Sequence, residues 1–290
     1  MTLRLLAVHA HPDDESSKGA ATYAYYADRG AEVMVVSATG GERGDVLNEA
    51  LTDRAAADRD MAGFRRSEMA AAQQEMGIQH RWLGYTDSGL PATGESLPFG
   101  CFALVPLEHS VAPLVRLIRK FRPQVLITYD ENGGYPHPDH IRTHQISMEA
   151  FAAASDPARY PELGEPWQVS KVYYDRIFSA QRLRAMHATL LQRDPESPLI
   201  AQLEEMRSWM DDRPYQATTH IPCGDYFEKR DAALLAHASQ VSPASSFFFW
   251  PNDLQREAWP QEDYQLVTSL VDTTLPETDL FAGVEDDQEV

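Results

Sequence analysis

The chain holds only two cysteines, Cys101 and Cys223, in 290 residues. Thiols so few and so far apart cannot build a disulfide scaffold, so a cytoplasmic chain folded around an apolar core is expected. Long hydrophobic runs are also missing. The N-terminal apolar stretch, Leu3 to Val8, is too short for a signal-peptide core, and nothing reaches the length that crosses a bilayer. Bases are scarce, with 25 Lys plus Arg against 44 Asp plus Glu and a formal charge of −19. That argues against a broad surface tracking nucleic-acid phosphates, so neither nucleic acid nor a membrane is an expected partner. The acid excess is local, since Asp253 to Val290 carries eleven acids and one base. It says little about a site elsewhere. No GxGxxG follows the first predicted strand, where HAHPDDES stands instead, and a nicotinamide cofactor is thereby disfavoured.

What is present is a globular composition, 43% hydrophobic and 24% charged. Leu3–His9, Glu32–Ser37, Arg81–Leu83, Gln124–Thr128 and Lys171–Phe178 read as strands. Between them Ser16–Arg29, Arg54–Met76, Pro106–Phe121 and Asp139–Ala154 read as helices. This alternation predicts an α/β fold: a Rossmann-like, mostly parallel sheet with helices on both faces, of strand order 3-2-1-4-5. The second half is less regular. One domain over 1–290 is expected, with a core over 1–178, a C-terminal elaboration over 179–274 and an exposed acidic tail over 275–290. Within the elaboration, 194–216 carries Pro195, Pro198 and Pro214 and reads as a mobile connection or lid. Ala217–Ile221 reads as a late strand and Asp225–Ala238 as a helix.

Histidine placement is the most informative feature. Five of the ten histidines fall in two short segments, His9 and His11, then His137, His140 and His144. Each segment follows a predicted strand, the first and the fourth, and in a doubly wound sheet those strands are neighbours. The crevice beyond their carboxyl ends is the usual ligand site, so the two segments should face each other across it. His11 and Asp14 can converge on one ion if the loop turns tightly after Pro12, and His140 can supply a third ligand. Three such ligands with an open position suit catalytic zinc, and also ferrous iron, one per chain. Taken singly, HPDDES is equally a helix cap and HPDH a loop before a helix. Two His-Pro-Asp runs at neighbouring strand ends favour the metal. Asp13, beside Asp14, is then placed to take a proton from water. Tyr135 and His137 are candidate donors to a developing oxyanion. Asp139 can orient a histidine. Such equipment suits metal-assisted hydrolysis of an amide or ester.

Ala10-His11-Pro12-Asp13-Asp14-Glu15 and His137-Pro138-Asp139-His140 resemble the signature of the PIG-L/LmbE family of metal-dependent N-deacetylases. The likeness to its mycothiol branch extends over most of the chain, through TGGERGDVLN, LGYTDSGLP, CFALVPLE and TYDENGGYPHPDH. The resemblance implies the same ligands, His11, Asp14 and His140, with Asp13 as base and Tyr135 and His137 as the oxyanion pair. It implies a thiol-sugar conjugate as small-molecule substrate, cleaved at its amide to an N-acetylcysteine S-conjugate and glucosaminyl-inositol. Removal of acetate from N-acetyl-glucosaminyl-inositol is the alternative within the branch. A metal-dependent binding module without turnover is the alternative outside enzymes. The resemblance further implies substrate contacts by Arg65, Glu68, Asp87 and Lys18. Their plainer readings are an i,i+3 ion pair for Arg65 and Glu68, a turn former for Asp87 and a solvated helix position for Lys18. Phe247–Trp250 reads as core, or as the lining of a pocket for an apolar thiol adduct.

Overall fold

Arg4–His9 (β1) holds an unbroken apolar run, Leu5 to Val8, the pattern of a strand covered on both faces. The computed structural model describes residues 2–92, 94–210, 214–245 and 247–284. After β1 come α1 (Asp14–Ser17), α2 (Ala20–Asp28), β2 (Glu32–Thr39), α3 (Arg54–Arg59), α4 (Met61–Met76) and β3 (Gln79–Tyr85). Then follow α5 (Leu107–Phe121), β4 (Val125–Thr128), α6 (Pro138–Ser155) and β5 (Lys171–Asp175). The second half adds α7 (Ala180–Arg193), α8 (Leu199–Ser208), β6 (Thr219–Ile221), α9 (Phe227–Ala236), α10 (Asn252–Ala258) and β7 (Glu262–Ser269).

The strands lie in the order β3-β2-β1-β4-β5-β7-β6. The first five are parallel, β7 pairs antiparallel with β5, and β6 pairs antiparallel with β7. The α/β expectation holds, with its 3-2-1-4-5 order. Side chains alternate across the sheet as strand geometry requires. Leu5 and Ala7 pack with α2, α4 and α9 residues such as Tyr23, Met69 and Phe227. Leu6 and Val8 pack with Leu114 and Ile118 of α5 and Ile146 and Ala150 of α6. A separate apolar cluster joins α7, α8 and α10 through Leu183, Met186, Leu203 and Leu254.

Several expectations are corrected. The helix expected over Ser16–Arg29 is two, because the chain turns at Lys18-Gly19 and leaves α1 a single turn. The helix expected over Arg54–Met76 breaks at Asp60, whose carboxylate caps α4 by accepting from the Gly63 N–H at 2.9 Å. Strand β7 was not anticipated. Its first two residues are acids, but both are buried and bonded: Glu262 accepts from Thr22 N and Oγ1, and Asp263 from Trp259 Nε1. The stretch read as a mobile connection or lid is not among these corrections: it holds the helical α8 and borders the cavity, with 211–213 outside the described residues. The exposed tail is also corrected over its first ten residues, since Glu277, Leu280 and Phe281 are buried against the sheet. The remainder, 285–290, lies outside the described residues.

That strap is held by Glu277, which accepts from Lys171 Nζ at 2.7 Å, Tyr173 Oη at 2.6 Å and Thr219 Oγ1 at 3.0 Å. Removing one partner of a buried ion pair strands the other charge, so Glu277→Ala should cost on the order of 3–5 kcal/mol. Urea unfolding should show a smaller loss for the double variant Lys171→Met, Glu277→Leu, which leaves no lone charge. A loss near the ~1 kcal/mol of a surface pair would contradict this account.

Candidate metal centre and active site

The carboxyl ends of the neighbours β1 and β4 carry the two histidine segments. The loop after β1 turns sharply at Asp13, a non-glycine residue with φ of 98°. Its N–H donates to Glu15 Oε2 at 3.0 Å, and its Oδ2 accepts from Arg65 Nη2 at 2.7 Å. The turn brings His11 and Asp14 together, with the His11 N–H donating to Asp14 Oδ2 at 3.0 Å. From the other segment, His140 enters in the first turn of α6, fully buried. Its ring stacks on Tyr129 at a centroid distance of 4.4 Å. Gly133 makes this approach possible, because at φ 73° a Cβ there would stand 2.5 Å from His140 Cβ.

Ligand atoms of His11, Asp14 and His140 all lie within 4.8 Å of one another. Asp14 Oδ2 is 3.4 Å from His11 Nδ1 and 3.3 Å from His140 Nε2. The proton positions that the partners impose suit a cation. His140 Nδ1 lies 2.9 Å from the Gly133 carbonyl, to which it donates, and its buried Nε2 has no hydrogen-bond partner among the described residues. His11 turns Nε2 to Asp139 Oδ2 at 3.2 Å and Asp87 Oδ1 at 3.5 Å, which leaves Nδ1 facing Asp14. Two imidazole nitrogens and one carboxylate are a donor set that a divalent ion fits. Burial disfavours the Asp14 carboxylate, yet His140, Lys18 and His11 together hold its pKa well below the ordinary range.

A second group, His11, His137 and Asp139, also comes within metal-binding distance. Its donors are engaged elsewhere. Asp139 Oδ1 accepts from Ser88 Oγ, and Oδ2 from Ser88 N and His11. His137 Nδ1 accepts the Asp139 N–H at 3.1 Å, which puts the proton of the neutral ring on Nε2. Burial and the neighbouring His11 and His140 push the His137 pKa down to about 4.

The remaining expected residues divide. Tyr135, 46% exposed, lines the cavity beside Asp13, Asp14 and Lys18. Lys18 is not solvated; its ammonium is bonded to Asp14 Oδ1. Arg65, Glu68 and Asp87, expected as substrate contacts, do not line the cavity. Arg65 donates to Asp13 and to the Pro12 and Gly41 carbonyls. Glu68 accepts from Ser239 N at 2.6 Å and Oγ at 2.8 Å, so the two form no pair with each other. Asp87 accepts from the N–H groups of Arg43 and Gly89 besides facing His11. Long side chains with several buried partners hold their neighbours, and spacing alone gave no sign of those partners.

Other contributors were not singled out in the sequence. His237, fully buried in α9's C-terminal turn, lies 2.7 Å from Glu15 Oε1 and so supports the residue that holds the Asp13 turn. Asp175 ends β5 and lines the cavity with a buried Oδ2 that has no hydrogen-bond partner among the described residues. Burial raises its pKa to about 7 against the pull of Lys18. The cavity holds about 580 Å³, room for a ligand of drug-like size.

Residues 6–151 match the family model described as PIG-L, GlcNAc-PI de-N-acetylase. Across 98% of both chains the protein is 51% identical to a mycothiol S-conjugate amidase of Streptomyces coelicolor. It is 39% identical to a 1D-myo-inositol 2-acetamido-2-deoxy-alpha-D-glucopyranoside deacetylase of Streptomyces scabiei, over 97% of this chain and 90% of the other. In structure it is similar to the N,N'-diacetylchitobiose deacetylase of Pyrococcus horikoshii, with a TM-score of 0.61 and 18% identity over 98% of this chain and 87% of that one. Sheet, crevice and relatives together define a hydrolase of amide C–N bonds. The chain belongs to the PIG-L family. Among its described residues no helix is long and apolar enough to cross a membrane.

Proposed function

We propose that this protein is a cytoplasmic zinc amidase that cleaves mycothiol S-conjugates to an N-acetylcysteine S-conjugate and glucosaminyl-inositol, in detoxification or a dedicated secondary-metabolite pathway. The observation that carries this reading is the size and lining of the cavity. It runs from Asp13, Asp14 and Tyr135 to an apolar wall that includes Phe178, Met206 and Phe247. An acetyl group leaves such a wall without a ligand, whereas an S-substituted cysteinyl group reaches it. The higher identity to the amidase than to the deacetylases supports the same choice.

His11, Asp14 and His140 would hold the ion, one per chain, zinc or ferrous iron by donor type. When bound, the ion polarises the amide carbonyl and lowers the pKa of water. Asp13 takes the proton of the attacking water and passes it to the leaving nitrogen, its carboxylate aimed by Arg65 and its turn held by Glu15. The Tyr135 hydroxyl and His137 Nε2–H donate to the oxygen on which charge develops. Asp139 and Asp87 orient His11. Lys18 sits at the cavity side of Asp14, on the acyl side of the substrate. A binding module would have no use for the Asp13 arrangement.

Deacetylation of N-acetyl-glucosaminyl-inositol is the second reading, favoured by the named activity of the 39% identical relatives. Relative turnover decides. The zinc-loaded protein is expected to release glucosaminyl-inositol from a bimane adduct of mycothiol with kcat/KM at least about tenfold above that for the N-acetyl sugar, on the order of what one or two well-filled apolar contacts provide. The reverse preference would replace the amidase reading with the deacetylase one.

A further inference from the structure

The apolar wall of the cavity continues into a recess of about 30 Å³, roughly twice what a single water occupies. Ser17, Phe178, Met206, Met210 and Phe247 border both spaces, so the recess adjoins the main cavity. Its wall combines Leu183, Met186 and Trp250 with two arginines, Arg182 and Arg230. Cations in such surroundings ordinarily have a paired carboxylate.

Arg230 has one. Its Nε and Nη2 donate to Asp231 Oδ1 at 3.0 and 2.8 Å, and its Nη1 donates to Gln255 Oε1 at 3.1 Å. Among the described residues Arg182 shares that neutral acceptor through Nη2 at 2.8 Å and otherwise donates only to the Ile177 carbonyl at 3.3 Å. Among the described residues no carboxylate lies within ion-pair distance of it. A guanidinium has five N–H donors, and most of those on Arg182 have no acceptor among the described residues. Burial and the adjacent Arg230 lower its pKa to about 10, against the longer-range pull of Glu262 and Asp263.

We propose that this recess is a subsite for the far end of the S-linked group, and that it selects adducts in which an apolar body ends in a small anion, a carboxylate above all. The proposal rests on the mycothiol-conjugate reading. Size argues for a carboxylate, a three-heavy-atom group, and the planar fork of Arg182 matches its two oxygens. The body of the adduct lies along Phe178 and Phe247, whose rings stack at 5.3 Å, and against Met206 and Met210, which adapt to varied shapes.

The test uses two mycothiol adducts of one shape, 4-carboxybenzyl and 4-carbamoylbenzyl, with the metal-loaded enzyme. The carboxylate adduct should be hydrolysed with kcat/KM about tenfold higher, the scale of one charge-assisted hydrogen-bonded pair. Arg182→Met should bring that ratio close to one, and Arg182→Lys should leave it between the two. Equal turnover of both adducts by the unmodified enzyme would overturn the proposal, as would a ratio that Arg182→Met leaves unchanged. Calorimetric titration with the methylamides of the two S-benzyl-N-acetylcysteines reads the recess without hydrolysis. Tighter binding of the carboxylate probe, lost in Arg182→Met, supports the subsite even if neither adduct is cleaved, in which case only the amidase reading falls. Equal binding of the two probes rejects the subsite alone.

Discussion

Asp13→Asn should keep its metal and its fold while kcat falls about 10²–10⁴-fold, the contribution of a positioned general base. The substitution suits the site because Asp13 sits at φ 98°, where asparagine is among the few side chains tolerated. The amide oxygen can still accept from Arg65 Nη2, as Asp13 Oδ2 does at 2.7 Å. What the amide lacks is a lone pair basic enough to accept a proton near neutral pH. Asp13→Ala is a poorer probe, since it adds backbone strain and leaves the buried Arg65 without its carboxylate. Metal per chain and melting temperature should match the unmodified enzyme, while single-turnover rates collapse. Retention of more than about a tenth of kcat would place the base elsewhere, because that falls below the range for this role.

The gathering of residues at the centre was legible because it is local in sequence. His11, Asp13 and Asp14 fall within four positions, and His137, Asp139 and His140 within four more. A βα alternation was enough to place the two groups at adjoining strand ends. The supporting residues were less legible because their partners are remote. Arg65 and Glu68 stand at ordinary i,i+3 spacing, yet each turns to a different loop, Arg65 to the Asp13 turn and Glu68 to Ser239. Glu15 was readable as part of the motif, but its partner His237 lies 222 positions away with no neighbouring pattern. The acid-rich end misled for a related reason. Composition marks Glu262, Asp263 and Glu277 as solvent-facing, whereas each is buried with donors supplied by other elements. Charge read along a chain reports exposure only when nothing folds back to pair it.

Two overlapping groups could bind the ion, and they make opposite predictions for two neighbouring histidines. Both contain His11, one adding Asp14 and His140, the other His137 and Asp139. His140→Ala should weaken metal binding by more than the roughly 10–100-fold that loss of a supporting partner costs, since it removes a ligand itself. Activity should disappear with the metal. His137→Ala should retain metal at about one ion per chain, the stoichiometry of a three-ligand catalytic site. Its kcat should fall by about 10²–10³, the loss for one oxyanion donor. The reason lies in which nitrogens are already engaged. His137 Nδ1 receives the Asp139 N–H and Asp139 is bonded to Ser88 and His11, so that group already carries four hydrogen bonds. His140 Nε2 is buried with none to displace. His140→Gln serves as a control for lost packing against Tyr129, because it refills part of the volume without restoring an imidazole ligand. Elemental analysis after dialysis reads the ion directly. A metal-free His137→Ala beside a metal-loaded His140→Ala would move the centre to the other group and reassign Asp139 from orienting His11 to binding the ion.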